Sequence, residues 1–271
     1  HAYCQNPICT PSRTSFLTGL YSSTVRGNIN GNARCNLPEN ARLVTTRLRD
    51  AGYDCGLSGK LHLASAWEGE EMRVDDGYRR FWYSHSGTQD RNNANQYWTW
   101  LKSTGRFDEV IDTRNHRPEV RSGIKYHTDI PPELYQTSWC CDRAIEFMNE
   151  ERSGPWLMSV NTFAPHPAYG ASASLVADID PDTMPGPLFK DSDLEIQAKL
   201  SSHIFQKKPQ PPDQAQPQRT ANYYAMIELI DQNVGRLLDE LEQTNQRKNT
   251  VIIFMSDHGQ LLGDHGLENK G

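Results

Sequence analysis

The residues able to do chemistry fall in a few short stretches of the 271-residue chain. The pentapeptide Cys9-Thr10-Pro11-Ser12-Arg13 puts a cysteine at a helix start, with Thr10 as a cap and Pro11 as first helical residue, four residues before an arginine. A thiol at a helix N-terminus beside a guanidinium has a lowered pKa, and that environment favours anions. Taken by itself the pentapeptide also fits, and more commonly, a buried cysteine beside a surface arginine. Three further polar clusters each follow a strand candidate: residues 59–62 after 53–58, His166 after 156–163, and Asp257-His258 after 250–255. Polar residues at the carboxyl ends of parallel strands meet at one crevice, so the three clusters can share a site.

The elements that must position them are legible as alternating helices and short apolar strands. A helix over 13–20 ends near Gly19. An amphipathic helix opens at Leu37-Pro38-Glu39, carries Leu43, Val44, Leu48 and Ala51, and closes at Gly52. Helices over 137–151 and 221–241 show apolar stripes, the second through Ile227, Ile230, Val234, Leu237, Leu238 and Leu241. Strands are expected over 53–58, 156–163 and 250–255. Residues 67–132 show little periodicity and read as long ordered loops, a possible substrate rim, and the Pro/Gln-rich stretch 206–218 reads as an exposed loop. This alternation predicts an α/β fold with a mostly parallel central sheet and helices on both faces.

Composition excludes several classes. With 28 Lys plus Arg against 34 Asp plus Glu, net −6, the chain is no basic nucleic-acid binder. No run approaches the roughly 20 apolar residues of a membrane span. Six cysteines without a Cys-x-x-Cys pair suggest buried free thiols rather than a disulfide scaffold or a cysteine zinc site. The aromatic stretch 78–100 suits stacking on a sugar, but better suits packing of a long loop.

Cys9-Thr10-Pro11-Ser12-Arg13 followed by Thr14-Ser15-Phe16-Leu17-Thr18-Gly19 resembles the signature of the type I, formylglycine-dependent sulfatases of the alkaline-phosphatase-like superfamily. Gly52-Tyr53 with Gly59-Lys60-Leu61-His62-Leu63 is similar to that family's second signature. Ser256-Asp257-His258-Gly259 with Gly263-Asp264-His265-Gly266 and Lys270-Gly271 is similar to its metal- and sulfate-binding segment, and Pro165-His166-Pro167 completes the ordered set.

The resemblance implies hydrolysis of an organic sulfate ester, with a carbohydrate sulfate as a family-level expectation. Cys9 would be oxidised to formylglycine, whose hydrate attacks sulfur through one hydroxyl and, on deprotonation of the other, expels sulfate, two easier steps replacing one. Asp257 and His258 match metal positions usually filled by Ca²⁺, with Mg²⁺ or another divalent metal as alternatives. Calcium prefers six or more oxygens, so His258 is as well suited to touch the nucleophile or sulfate. The resemblance makes Lys60 and Lys270 the sulfate-binding lysines, Arg13 the holder of the nucleophile and metal-site geometry, His62 the base for sulfate release, and His166 a donor near the leaving oxygen. Cys9, Pro11 and Arg13 would be read by a formylglycine-generating or other sulfatase-maturing enzyme, Ser12 would serve the helix start, and Asp264-His265 reads as loop structure. Many relatives are exported, which slightly favours a periplasmic or secreted location.

The chain begins at His1 and stops just after Lys270. The expectation is a single N-terminal catalytic α/β domain, incomplete at both ends: it lacks a first strand that carries paired metal-binding Asp residues and a C-terminal small-sheet part, and is inactive by itself. Two competing readings are a phosphonate or phosphate ester hydrolase of the same superfamily and a non-catalytic fragment in which Cys9 stays a thiol.

Overall fold

Gly52 turns the chain with φ +93°, a conformation open to glycine, and delivers it into β1, Asp54–Gly59. In a computed structural model, which describes residues 2–25, 37–38, 41–64, 71–86, 94–110, 130–199 and 209–271, β1 is the middle of a three-stranded sheet. β2 (Arg80–Tyr83) and β3 (Trp156–Asn161) flank it, both parallel to it, with Leu57 opposite Phe81 and Ser159.

Alternation along β1 divides its contacts between the two faces. Cys55 and Leu57 join Leu17 of α1 (Cys9–Thr18), Leu43, and the partly buried Leu48 of α2 (Val44–Asp50) in one core. Gly56 and Ser58 face the other way. A Cβ at Gly56 would lie 2.9 Å from Phe147, and the Ser58 hydroxyl donates to the Cys140 carbonyl at 2.8 Å, so small residues let α4 (Gln136–Met148) pack closely. α3 (Gln96–Ser103) adds Tyr97, Trp98 and Leu101 around Trp139 of α4. After β3 come α5 (Ala173–Val176), α6 (Asp191–Ala198) and α7 (Gln216–Gln243). Helices therefore cover both faces of a parallel sheet, as the alternation of elements requires.

Several sequence expectations need correction. α1 starts two residues before Pro11: Ile8, not Thr10, is its N-cap and is extended, Cys9 is its first residue and Pro11 its third, which is tolerated because the first-turn N–H groups have no helical partner anyway. The second helix begins at Val44 rather than near Pro38, because Leu43 is held extended and fully buried. Within 67–132, β2 and α3 replace part of the expected loop, and the aromatic side chains described there pack in the core; residues 67–70, 87–93 and 111–129 lie outside the described set. Residues 216–218, expected in a loop, open α7, while 206–208 lie outside the described residues. Residues 250–255 form no strand: the run is apolar enough for one, but it pairs with no described strand and its side chains are exposed, Val251 by 88% and Phe254 by 77%.

Among the described residues Cys4, Cys9, Cys55, Cys140 and Cys141 are free, and no helix is long and apolar enough to cross a membrane. Cys35 lies outside them.

Candidate active site

Each strand delivers its polar residue at its carboxyl end. Lys60, immediately after β1, is anchored by its backbone: its N–H donates to the Asn161 carbonyl and its carbonyl accepts from the Asn161 amide, both at 2.9 Å. Two residues on, His62 adopts φ +58°, unusual for a residue with a Cβ. The conformation is held by Glu71, whose carboxylate accepts from the backbone N–H groups of His62 (2.6 Å), Leu63 and Ala64 (3.0 Å). After β3, His166 lies beside Phe163, ring centroids 4.5 Å apart, and its Nδ1 donates to the Pro167 carbonyl at 2.7 Å.

α1 supplies the opposite wall. Cys9 is 1% exposed, and its Sγ lies 3.1 Å from His258 Nε2. His258 Nδ1 donates to the Gly259 carbonyl at 2.8 Å, which turns Nε2 toward the sulfur. One turn after Cys9, Arg13 joins three segments: its Nε donates to Asp257 Oδ2 at 2.8 Å and its Nη1 to the Lys60 carbonyl at 3.0 Å. The Ser12 hydroxyl donates to the Asp257 carbonyl. Ser12 therefore ties α1 to the segment before Asp257, beyond the helix-start role expected for it.

The charges are arranged for an anion. Lys60, Lys270 and Arg13 are all buried, and among the described residues neither lysine has an ion-pair partner. Burial would push the Cys9 thiol up, but its hydrogen bond to His258 and the charges of Lys60, Lys270 and His258 outweigh that and bring it down to about 5. Burial brings Lys60 down to about 8, with Cys9 pulling the other way. Burial, with Lys60, Lys270 and other cations nearby, holds His62 and His166 well below the ordinary imidazole value, so both are neutral. Burial opposes ionisation of Asp257, but Arg13, His258 and Lys60 keep its pKa low.

The structure thus brings together Cys9, Arg13, Lys60, His62, His166, Asp257, His258 and Lys270. Asp264 and His265 stand apart: Asp264 accepts from the Leu188 N–H at 2.7 Å and His265 faces Asp193 of α6 at 3.4 Å, so they tie loops together. Sequence reasoning missed Glu71 and His85. His85 follows β2, and with that strand unrecognised its carboxyl end could not be seen.

Cys9, Asp257 and His258 offer ligand atoms within 4.8 Å of one another. Sulfur, imidazole and carboxylate suit a divalent ion with three protein ligands, and these residues fit one in number. They do not assemble the oxygen-rich shell of six or more ligands that calcium takes.

A family model described as Sulfatase matches residues 1–271. The chain is similar to an arylsulfatase of Clostridium perfringens (26% identity over 100% of this chain and 57% of that protein) and to a choline-sulfatase of Rhizobium meliloti (28% over 98% and 51%). The phosphonate monoester hydrolase of Agrobacterium radiobacter has a similar fold, with TM-score 0.72 and 20% identity over 99% of this chain and 56% of that one. The chain spans about half the length of the curated relatives it matches. With the family model matched from end to end, the chain belongs to the sulfatase family.

Proposed function

We propose that this chain carries the nucleophile and anion clamp of a sulfate-ester hydrolase. The observation that supports it most is the pair of buried lysines, Lys60 and Lys270, beside Cys9 and without ion-pair partners among the described residues. A buried ammonium is unfavourable unless something neutralises it, and an anionic ester oxygen would do so.

Formylglycine made from Cys9 supplies, as its hydrate, the hydroxyl that attacks sulfur. Asp257 and His258, with the group made from Cys9, would hold a divalent metal, which when bound would favour the ionised form of that hydroxyl. The chain's own residues do the rest. Lys60 and Lys270 hold sulfate oxygens and stabilise charge that grows toward the leaving oxygen. Arg13 fixes the side chain of Asp257 against the backbone of Lys60, setting the width of the clamp. His166 has its Nδ1 proton committed to the Pro167 carbonyl, so its Nε2 presents a lone pair. It donates to a leaving group only after taking a proton there, which an incoming anion favours. His62 accepts the proton whose removal releases sulfate.

Cys9, Pro11 and Arg13 are buried in α1. A maturing enzyme that reads this triad must act before the domain folds, which makes conversion an early event.

The test uses the full-length protein from its native host. Conversion replaces the sulfur of Cys9 by oxygen and removes two hydrogens, read by intact mass; turnover is compared on an aryl sulfate and an aryl phosphonate. Converted protein that prefers the sulfate is expected, and Cys9→Ala should lose at least about 10⁴-fold in kcat. A strong phosphonate preference would move the protein to the other branch of the superfamily, and an unmodified Cys9 would favour a non-catalytic role.

A further inference from the structure

Phe163 lies two residues beyond β3 and outside the motifs that mark the site, yet its ring meets two of the site's polar groups. The Lys60 ammonium lies over its face, 5.7 Å from the centroid, and the His166 imidazole lies against it, centroids 4.5 Å apart with the planes tilted by 35°. His62, by contrast, meets the His85 ring edge to face, at 76°. Phe163 is half-buried and belongs to none of the apolar core clusters among the described residues. Filling the core therefore does not account for an aromatic residue here.

The ring is held in place through its backbone. The Phe163 N–H donates at 3.0 Å to Oε1 of the buried Gln136, first residue of α4, and the Phe163 carbonyl accepts from the His166 N–H at 3.0 Å. The helix that packs on β1 thus fixes the ring against both partners.

Each partner has a use for it. The face of an aromatic ring carries partial negative charge and attracts a cation within about 6 Å of its centroid. The buried Lys60 has no ion-pair partner among the described residues; burial, Arg13 and Lys270 disfavour its charge, and Cys9 and Asp257 favour it. Conversion of Cys9 to formylglycine takes away the first of those two negative groups, so the ring face then carries more of the task. Lysine is also a charge on a flexible stem, and a directional contact at its tip narrows where the ammonium rests before an anion arrives. His166 uses the ring at a later stage. It is neutral in the empty site, and once protonated beside the bound ester it becomes a cation lying on the same π face, which favours the charged form over the neutral one.

We infer that Phe163 is a positioning residue of the anion clamp: one ring sets the resting place of the Lys60 ammonium and backs His166 as proton donor to the leaving group. The proton reaches His166 Nε2 from solvent and passes to the leaving oxygen as the S–O bond breaks, while the Nδ1 proton stays in its bond to the Pro167 carbonyl. The His166 half of the inference rests on the proposed reaction. The Lys60 half requires only that the clamp takes a tetrahedral oxyanion.

The test places mono-, di- and trifluorinated phenylalanine at position 163 of the full-length, converted enzyme, a series that nearly keeps the ring's shape and drains charge from its face step by step, beside Phe163→Tyr and Phe163→Leu. Calorimetry reads affinity for inorganic sulfate, and p-nitrophenyl sulfate at saturation reads kcat. Both should fall with each added fluorine, by about 3–10-fold at the trifluorinated ring, with Phe163→Tyr within about twofold of wild type and Phe163→Leu at or below the trifluorinated value. A fluorine series flat in both readouts overturns the inference even where Phe163→Leu is impaired, because packing alone then explains that loss. Falling affinity with flat kcat overturns the part assigned to His166, and falling kcat with flat affinity the part assigned to Lys60. Stepwise loss of sulfate affinity in a protein that cleaves no sulfate ester would leave the clamp role standing and overturn the proposed reaction instead.

Discussion

Lys60 and His62 leave a strand that is paired along both edges, whereas Asp257 and His258 follow residues 251–255, whose apolar side chains are exposed and which pair with no described strand. On the β1 side, position comes from the backbone: Asn161 holds Lys60 from both its N–H and its carbonyl, and Glu71 holds three successive N–H groups. On the other side, position comes from side chains of α1: Arg13 grips the Asp257 carboxylate, Ser12 its carbonyl, and Cys9 meets His258. One half of the site is part of the sheet and the other is tied to it through one helix. Substitutions in α1 should therefore disturb catalysis out of proportion to their effect on stability, and substitutions under the β1 loop should do both.

The largest effect that separates the halves belongs to Arg13→Lys. Lysine keeps the charge but has a single nitrogen, so it cannot hold both Asp257 and the Lys60 carbonyl. In full-length, converted enzyme, kcat for an aryl sulfate should fall on the order of 100-fold, with a shift of only about 1–2 kcal/mol in urea unfolding, because the ammonium still pairs with the carboxylate and the Lys60 carbonyl still accepts from Asn161. A loss of less than tenfold would mean that Asp257 is held by something other than α1.

Next is a contrast between two buried thiols. In protein made without the maturing enzyme, Cys9 touches both halves, with Lys60 on one side and His258 and Lys270 on the other, and sits at about 5; burial pushes Cys55 up to about 11. At pH 7 Cys9 is a thiolate and Cys55 is not. Allowing for the weaker nucleophilicity of the less basic sulfur, Cys9 should alkylate roughly tenfold faster with iodoacetamide. Because its pKa is depressed, its labelling should be flat from pH 7 to 9 and fall as pH drops through about 5, while labelling of Cys55 keeps climbing. Peptide mapping across pH reads both, and Cys9 labelling that still climbs between pH 7 and 9 would show that the two halves do not converge on it.

The same asymmetry explains what was legible in the sequence. Lys60 and His62 were locatable because β1 directly follows a helix closed by Gly52 and itself ends at a glycine. The halves converge through Arg13, and its position one turn after Cys9 is readable from spacing, so the cysteine cluster was visible too. Residues 250–255 read as a strand because apolar β-branched runs usually find a partner, a property of the partner as much as of the run. Glu71 and His85 were invisible for a different reason. Glu71 acts on backbone N–H groups, which have no sequence signature. The strand that delivers His85 is four residues long, one arginine followed by three aromatics without alternation, leaving no period to detect.

A smaller effect tests the backbone-held half. Glu71→Gln replaces an oxygen that accepts by an amide nitrogen that faces an N–H group, leaving at least one buried donor unpaired. Stability should drop by about 1–3 kcal/mol in urea unfolding, and kcat about tenfold as His62 drifts. Unchanged stability would show that the His62 turn holds itself without the carboxylate.

The smallest expected effect is at Ser12, and it weighs the other half most directly. Ser12→Ala removes one hydroxyl that donates to the Asp257 carbonyl while Arg13 still grips the carboxylate. Loss of one such bond, with the carbonyl partly reachable by water, is worth about 1 kcal/mol. Because residues 251–255 pair with no described strand that shares the load, that loss should appear locally, as faster amide exchange around Asp257 with exchange along β1 unaltered, and as a roughly threefold fall in kcat. Exchange that speeds up equally in both places would mean that α1 holds the sheet together as a whole, and the two sides of the site would then be one mechanical unit rather than two.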